Sequence, residues 1–343
     1  MTAQITKPGR VELSVVIASK GREDFLREAV SSALRQDLPQ QLFEVIVISD
    51  IDAPWLAELD RGGEIRFIQS STPVGQALAQ GIELARGEII VFLDDDDRLS
   101  KSKLVEVWKA FQNPRVSYFH NGHVTISEDG GVLEPGRTNS SKVSMLEALA
   151  KPAKQWQVRN LAGFNLSSIA VRKAAVLPLL STLKQLRILQ DSFIYYTFLI
   201  NGDLALLTPE PLTEYRVHNS MSNYFGDMES YFVFCEGVHL RYADACRSIR
   251  QLNSDSRAGD LLEHDYQNQL LWSLIFGLRV SRRLLAQTLL VYLRHWRVAG
   301  AARALYLSAT SLAILLSRPL GHRLLYATRK ILISNRLSPS RIH

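Results

Sequence analysis

Leu13-Ser-Val-Val-Ile-Ala18 is a short, almost unbroken apolar run rich in β-branched residues. A run without polar alternation predicts a strand buried on both faces, as in a parallel sheet. A polar turn, Ser19-Lys-Gly-Arg22, follows, and then Phe25, Leu26, Ala29, Val30, Ala33 and Leu34 recur at helical spacing. Phe43 to Ile48 predicts a second strand closed by Ser49-Asp50, and Ile65 to Gln69 a third. A helix is expected from Val74 to Ala85, stopped by Gly87. A fourth strand, Ile89-Ile-Val-Phe-Leu93, runs straight into Asp94-Asp-Asp-Asp97. Strand, helix, strand, strand, helix, strand in this order argues for an α/β domain with a mostly parallel sheet.

Beyond the acids the pattern is less regular. Ser117 to Ile126 reads as a strand, Glu128-Asp-Gly-Gly131 as a turn, and Gly163 to Arg172 as a strand leading into a helix. Asp191 is expected to open a helix through Phe193, Tyr196 and Leu199 that ends at Asn201-Gly202. Three polar clusters therefore end three apolar strands: Ser19 to Arg22, Ser49-Asp50 and Asp94 to Asp97. Ligands of such sheets sit beyond the carboxyl ends of strands where the strand order reverses, so the three clusters are expected to share one cleft.

Composition sets the frame. A hydrophobic fraction of 46% and a charged fraction of 22% over 343 residues suit a folded globular chain with a sizeable core. Two cysteines, Cys235 and Cys246, are too few for a disulfide framework and lack metal-site spacing, which fits a reducing compartment. Residues 1–10 hold no apolar run, so no secretory signal is expected. The longest uncharged apolar stretch, Ala304 to Ser317, is short for a membrane span.

Four consecutive aspartates at the end of a buried strand repel one another, and their pKa values rise unless a cation is present. A divalent metal such as Mg2+ or Mn2+ resolves this, because hard cations favour carboxylate oxygens and keep open positions for phosphate oxygens. A solvated acidic turn would explain the charge but not its place at the end of an apolar strand.

Five segments in this order resemble glycosyltransferase family 2, inverting enzymes with a glycosyltransferase-A type fold. They are Leu13 to Arg22, Phe43 to Asp50, Pro73-Val-Gly75 through Arg86 to Asp97, Gln190-Asp191, and Tyr215-Arg-Val-His-Asn-Ser-Met-Ser222. Together they cover about residues 11–223. The resemblance implies that Ala18, Ser19 and Lys20 line a nucleotide slot, that Asp50 accepts a hydrogen bond from the donor's base, and that Gly75 belongs to the donor-binding segment. It implies that Asp94 and Asp96 are the two acids of a DXD motif. Asp96 would hold the metal that bridges two phosphates, while Asp94 or Asp95 faces the ribose and sugar. The register within the four acids stays open.

The same resemblance makes Asp191 the base that takes the acceptor hydroxyl's proton, a task any ionised carboxylate within hydrogen-bond reach can perform. A helix N-cap is its structural alternative, and the two roles are compatible. Arg216 would steady the diphosphate and His218 would bind the metal or a phosphate; ordinary loop roles are the alternative for both. Trp156 and Asn165 are candidates for the neighbourhood of the acceptor. The chain departs from the family pattern at Ser49 and Gln190, where the family usually carries acids, and at Lys20, where it often carries an aromatic.

The charge is divided unevenly. From Tyr266 to the end there are 12 Lys plus Arg and no Asp or Glu, which leaves residues 1–265 with 28 bases and 34 acids, a net of −6. Read as one helix, residues 270–298 put Arg279, Arg282, Arg283, Arg294 and Arg297 within an arc of roughly 120°, with Leu271, Leu274, Leu278, Leu285, Leu289 and Trp296 mainly opposite. Such a helix can lie in a membrane interface. A helical bundle packed on the catalytic domain or on a second subunit is the alternative, so a homo-oligomer is among the arrangements left open. No nucleic-acid-binding motif accompanies the charge.

The expectation is thus a catalytic domain over residues 1–225 and a basic helical region over 226–343, cytoplasmic and peripheral on the inner face of the membrane. The function expected is transfer of a sugar from a nucleotide diphosphate donor, with UDP the first choice, to a glycan or lipid-linked acceptor in cell-surface polysaccharide synthesis. Two rivals are a sugar nucleotidyltransferase, for which the first loop is too poor in glycine, and a non-catalytic scaffold that binds nucleotide sugar.

Overall fold

The structure is a computed structural model that describes residues 11–60, 62–134, 162–201, 204–217, 227–251, 259–295 and 301–337. Two compact units emerge, one from residues up to Val217 and the other from the helices that begin at Met228.

The first unit is built on nine strands: β1 (Leu13–Ser19), β2 (Phe43–Ser49), β3 (Ile65–Gln69), β4 (Ile89–Asp94), β5 (Arg98–Leu99), β6 (Val116–Ile126), β7 (Val132–Glu134), β8 (Ile169–Arg172) and β9 (Leu204–Arg216). They form one sheet in the order β3-β2-β1-β4-β8-β6-β9-β5, with β7 beside β6. β3, β2, β1 and β4 are parallel; β8 runs against both neighbours, and β6 and β9 run parallel to each other. Strand order reverses at β1, which lies between β2 and β4, so its carboxyl end is the switch point where ligands are held in such sheets.

Helices cover both faces, as continuous apolar strands require. These are α1 (Glu23–Leu34), α2 (Leu56–Leu59), α3 (Val74–Leu84), α4 (Lys103–Phe111), α5 (Lys173–Val176), α6 (Leu180–Leu183) and α7 (Gln190–Asn201). Leu26, Ala29, Val30 and Ala33 of α1 join Val15, Ile17, Val45 and Val47 in one core, with Leu104 and Val107 of α4. On the opposite face α3 lies so close that a Cβ on Gly81 would meet Val16 Cγ1 at 2.5 Å.

Strands β1 to β4 and helices α1 and α3 match the sequence reading to within two residues. β9 was not foreseen, although it is the longest strand among the described residues. It places Tyr215 and Arg216 beside the acid loop by pairing with β5 and β6.

The second unit comprises α8 (Met228–Arg250), α9 (Gly259–Phe276), α10 (Arg282–Arg294), α11 (Ala301–Leu316) and α12 (Arg318–Leu337). The Asp227 side chain caps α8 by accepting the Ser230 N–H at 3.0 Å. Its core includes Phe232, Leu271, Ile275, Leu285, Tyr292, Leu307 and Ile314. The single helix expected over 270–298 is not formed. α9 ends at Phe276 and α10 starts at Arg282, with Gly277 packed so tightly that a Cβ would meet Val280 Cγ2 at 2.2 Å. Arg318 donates to the carbonyls of Leu278 and Val280 in this break. Leu271, Leu274 and Leu285, expected on a membrane-facing stripe, are buried in this unit's own core. Arg297 and Trp296 lie outside the described residues.

Candidate active site

The three polar clusters that end β1, β2 and β4 do come together. In the sheet register Ala18 lies beside Asp94, and Ser19 beside Ser49. The backbone of the first loop then grips both neighbours. The Lys20 N–H donates to Asp95 at 3.3 Å, and the Gly21 N–H donates to Asp50 at 2.9 Å. Gly21 has φ +69°, a left-handed conformation that glycine adopts without steric cost. Ser19 is buried and Lys20 exposed at the mouth.

Arg22, from the same loop, was missed as a site residue. Its guanidinium pairs with Asp95 and also reaches Asp96 at 2.5 Å. Burial would lower its pKa, but the Asp95 and Asp96 charges outweigh that and raise it. The signal was present in the Ser19-Lys-Gly-Arg22 turn, yet nothing in spacing alone aims an arginine at acids more than seventy residues away.

Asp94 and Asp97 show the cost of the cluster. Burial pushes the Asp94 carboxyl well above the usual carboxylate range, followed by the charges of Asp97, Asp96, Asp95 and Asp191. Asp191, at the start of α7, is therefore part of the same electrostatic site. Asp97 is 1% exposed and is pushed up to about 7, first by burial and then by Asp96, against the Ser167 hydroxyl and the Arg216 N–H, which donates to it at 2.8 Å. Its other oxygen, Oδ2, is buried and accepts no hydrogen bond. Asp95 is raised by burial, while Arg22 pulls it down.

Asp191 does not cap its helix. α7 begins one residue earlier, at Gln190, and the Asp191 carboxylate accepts the Ser192 N–H at 2.6 Å within the first turn. Leu189, just before, is held at φ +63°, and Asn165 at φ +64°; both are uncommon for non-glycine residues and cost local strain. The strained Asn165 accepts the Ser167 N–H at 3.0 Å and presents Ser167, whose hydroxyl accepts the Asp94 N–H at 2.9 Å.

Beneath Ser167 runs a buried polar chain that sequence reasoning did not find. Thr213 Oγ1 donates to the Ser167 carbonyl at 3.0 Å and accepts from Asn121 Nδ2 at 3.0 Å. The Asn121 amide oxygen accepts from Lys103, whose amine also reaches the Ser167 carbonyl at 3.5 Å. Lys103 is fully buried, and that burial lowers its pKa to about 7.

Two residues expected to contact the donor also have partners within the protein. Arg216 is 3% exposed, and its guanidinium donates to the Asp96 carbonyl at 2.7 Å, the Glu128 carbonyl at 2.6 Å and the Glu28 carboxylate at 2.5 Å, while stacking over Phe25. With its donors so engaged it fixes the acid loop from below. Gly75 is buried against the 183–186 segment, where a Cβ would meet the Leu183 and Leu186 carbonyl oxygens at 2.3 Å each. Close packing accounts for this glycine. His218 and Trp156 lie outside the described residues.

The site fits a divalent cation. Asp94 is held up first by burial and then by four like charges, and Asp97 Oδ2 is a buried oxygen without a partner. Among the described residues no three His, Cys, Asp or Glu side chains form a ready-made cage. Mg2+-type ions do not need one, since one or two carboxylates together with substrate phosphates suffice.

The chain is similar to several known proteins. Residues 14–174 match the family model described as glycosyl transferase family 2. TuaG of Bacillus subtilis (strain 168), a glycosyltransferase named for teichuronic acid biosynthesis, is 22% identical over 243 residues, covering 68% of this chain and 91% of its own. An uncharacterized glycosyltransferase of Haemophilus influenzae is 24% identical over 61% of this chain and 67% of its own. The crystal structure of S. aureus TarS 1-349 in complex with UDP-GlcNAc aligns with a TM-score of 0.52 at 16% identity, covering 88% of this chain and 90% of that one. The mannosyltransferase PcManGT of Pyrobaculum calidifontis, in complex with GDP-Man and Mn2+, aligns with a TM-score of 0.53 at 16% identity, covering 96% and 87%.

Proposed function

We propose that the chain, whose residues 14–174 match the glycosyl transferase family 2 model, is an inverting glycosyltransferase that takes a sugar from a nucleotide diphosphate donor. The observation that supports this most directly is the meeting of the β1 loop, Asp50, Asp94 to Asp97 and Asp191 at the sheet's switch point. The nucleoside lies along Ala18, Ser19 and Lys20, with Asp50 toward the base. UDP is the first candidate, because TarS is seen with UDP-GlcNAc; GDP, seen with PcManGT, is the second.

Asp94 and Asp96 would hold a divalent cation, Mn2+ or Mg2+, with His218 as a further ligand. When bound, it supplies Lewis-acid stabilisation to the leaving diphosphate. The acceptor hydroxyl oxygen bonds to the anomeric carbon as the bond from that carbon to the phosphate oxygen breaks. Asp191 takes the hydroxyl proton, and no covalent bond to the protein forms. Inversion follows from this single displacement.

The acceptor side is supported by a group of rings. His123, Phe164 and Tyr215 contact one another with centroids 5.5–5.9 Å apart, and Phe164 is 42% exposed. Tyr215 adjoins the acids: burial first, then Asp97, Asp96, Asp94 and Asp191, push its hydroxyl up to about 12. An exposed ring beside the reacting centre can receive the C–H face of a sugar. The acceptor we favour is a glycan or a lipid-linked acceptor in cell-surface polysaccharide synthesis; the relative TuaG is named for teichuronic acid biosynthesis. Residues 266–343 would hold the chain on the cytoplasmic face of the membrane as a peripheral protein. No described helix is long and apolar enough to cross one.

Calorimetry with a panel of nucleoside diphosphates and their sugars, with and without Mn2+, tests the donor reading. Metal-dependent binding of one nucleotide supports it. A folded protein that binds none of them overturns it. Asp191→Asn is expected to keep donor binding and lose turnover by at least about a hundredfold.

A further inference from the structure

α11 is apolar on both sides. Ala304, Leu307, Ser311 and Ile314 are buried on its inner side. On the opposite side Leu305 is 73% exposed, Leu312 55% and Leu316 74%, with Ala309 between them also exposed. At about 100° per residue these four positions fall within an arc of about 60°. α12 carries the pattern on, with Leu320 58% and Leu324 54% exposed one turn apart. The two helices pack closely, since a Cβ on Gly321 would meet Ile314 Cγ1 at 2.8 Å.

A water-facing helix normally turns polar residues outward, and an outward leucine face of this kind marks an interaction surface. The charge around it selects the partner. Residues 266–343 hold 12 Lys plus Arg and no Asp or Glu, and Arg279, Arg282, Arg283, Arg294 and Arg323 are exposed. α10, which packs on α11, sets Arg283, Leu290 and Arg294 on one exposed side. A second copy of the chain meeting it with the same face would bring like charge against like charge. A nucleic acid would pair the arginines and leave the leucines in water. A bilayer with anionic headgroups satisfies both, taking leucines into the acyl boundary and arginines onto phosphates.

We propose that the outward face of α11 and α12, led by Leu305, Leu312, Leu316, Leu320 and Leu324, docks on an anionic lipid bilayer, with the exposed arginines around it. The proposal rests on the membrane reading of residues 266–343. It moves the contact from the leucines of 271–285, which are buried, to a face that is free to make it.

The test is co-sedimentation of the full chain with vesicles of phosphatidylcholine alone and with added phosphatidylglycerol, at physiological salt. The wild type should bind the anionic vesicles at least about tenfold more tightly. The triple variant Leu305→Ser, Leu312→Ser, Leu316→Ser should lose about tenfold or more. These side chains leave the core untouched, and its helicity and melting should stay as in the wild type. Arg283→Ser with Arg294→Ser should weaken anionic binding about fivefold per residue. A triple variant that binds as the wild type does would overturn this face while sparing the membrane reading. A wild type that ignores both vesicles would overturn the membrane reading as well. If light scattering shows a wild-type dimer that the triple variant loses, the face is a self-association surface and the proposal is wrong.

Discussion

Arg22 reaches Asp96 at 2.5 Å and pairs at the same time with Asp95. One guanidinium thus answers two carboxylates of a cluster that has more negative charge than its surroundings balance. An arginine and a divalent cation at Asp96 compete for the same oxygens. Arg22→Gln is therefore expected to raise Mn2+ affinity in the absence of nucleotide, by about tenfold, read by calorimetry or by the Mn2+ electron paramagnetic resonance signal. The metal-free variant should also be less stable. Because Arg22 is partly exposed, the loss is about 1 kcal/mol after solvent screening. Unchanged Mn2+ affinity would mean that Arg22 and the cation use different oxygens.

Ser167 holds the first acid from behind, by accepting the Asp94 N–H. Ser167→Ala leaves that part-buried N–H without its acceptor. The expected cost is about 1–3 kcal/mol of stability. Displacement of the acid loop by as little as an ångström lowers turnover by about a hundredfold. Steady-state kinetics separates this from simple unfolding: at a temperature where the variant is folded, kcat should fall more than donor affinity does. Equal kcat in the folded variant would show that Asp94 keeps its place without Ser167.

The strands and the acids were legible because each is written locally. Leu13 to Ala18 is apolar at nearly every position, and Asp94 to Asp97 directly follows the apolar run of β4, so both announce themselves within ten residues. Lys103 and Ser167 were not legible. A lysine near a helix start and one serine of a pair look like surface residues. Only the pairing of β6 with β8 and β9 brings Asn121, Ser167 and Thr213 together over Lys103. The hydrogen bonds of the Arg216 guanidinium were not legible either, since their acceptors lie 88 to 188 residues away in the chain. The basic helix was misread because hydrophobic spacing continues across Gly277. The backbone turns there for reasons of packing that periodicity does not record.

Gly75 separates a packing role from a binding role. A methyl group there would meet two carbonyl oxygens at 2.3 Å, and backbone oxygens cannot move aside as a flexible side chain would. Gly75→Ala is expected to destabilise the first unit by about 1–3 kcal/mol, a melting shift of several degrees. Donor affinity of the fraction that stays folded should be near that of the wild type. A variant that melts as the wild type does but loses donor binding would give Gly75 a binding role in the donor segment.

Lys103 makes stability depend on pH in a defined direction. Its pKa in the folded protein is about 7, lowered by burial from the ordinary 10.5. Between these values the unfolded chain binds the proton and the folded one does not, so stability rises with pH across that window. The penalty is complete below about pH 7 and disappears above about 10.5. Its slope from this one group is at most about 1.4 kcal/mol per pH unit. Lys103→Met removes the titration, although it leaves Asn121 Oδ1 without its buried donor. That second effect is constant with pH, so the difference between wild type and variant isolates the lysine. Denaturant melts at several pH values from 6.5 to 9.5 should show the wild type gaining on the variant as pH rises. Parallel curves would mean that Lys103 keeps its charge when buried, stabilised by Asn121 and the Ser167 carbonyl, and the acid loop would then rest on a permanent cation.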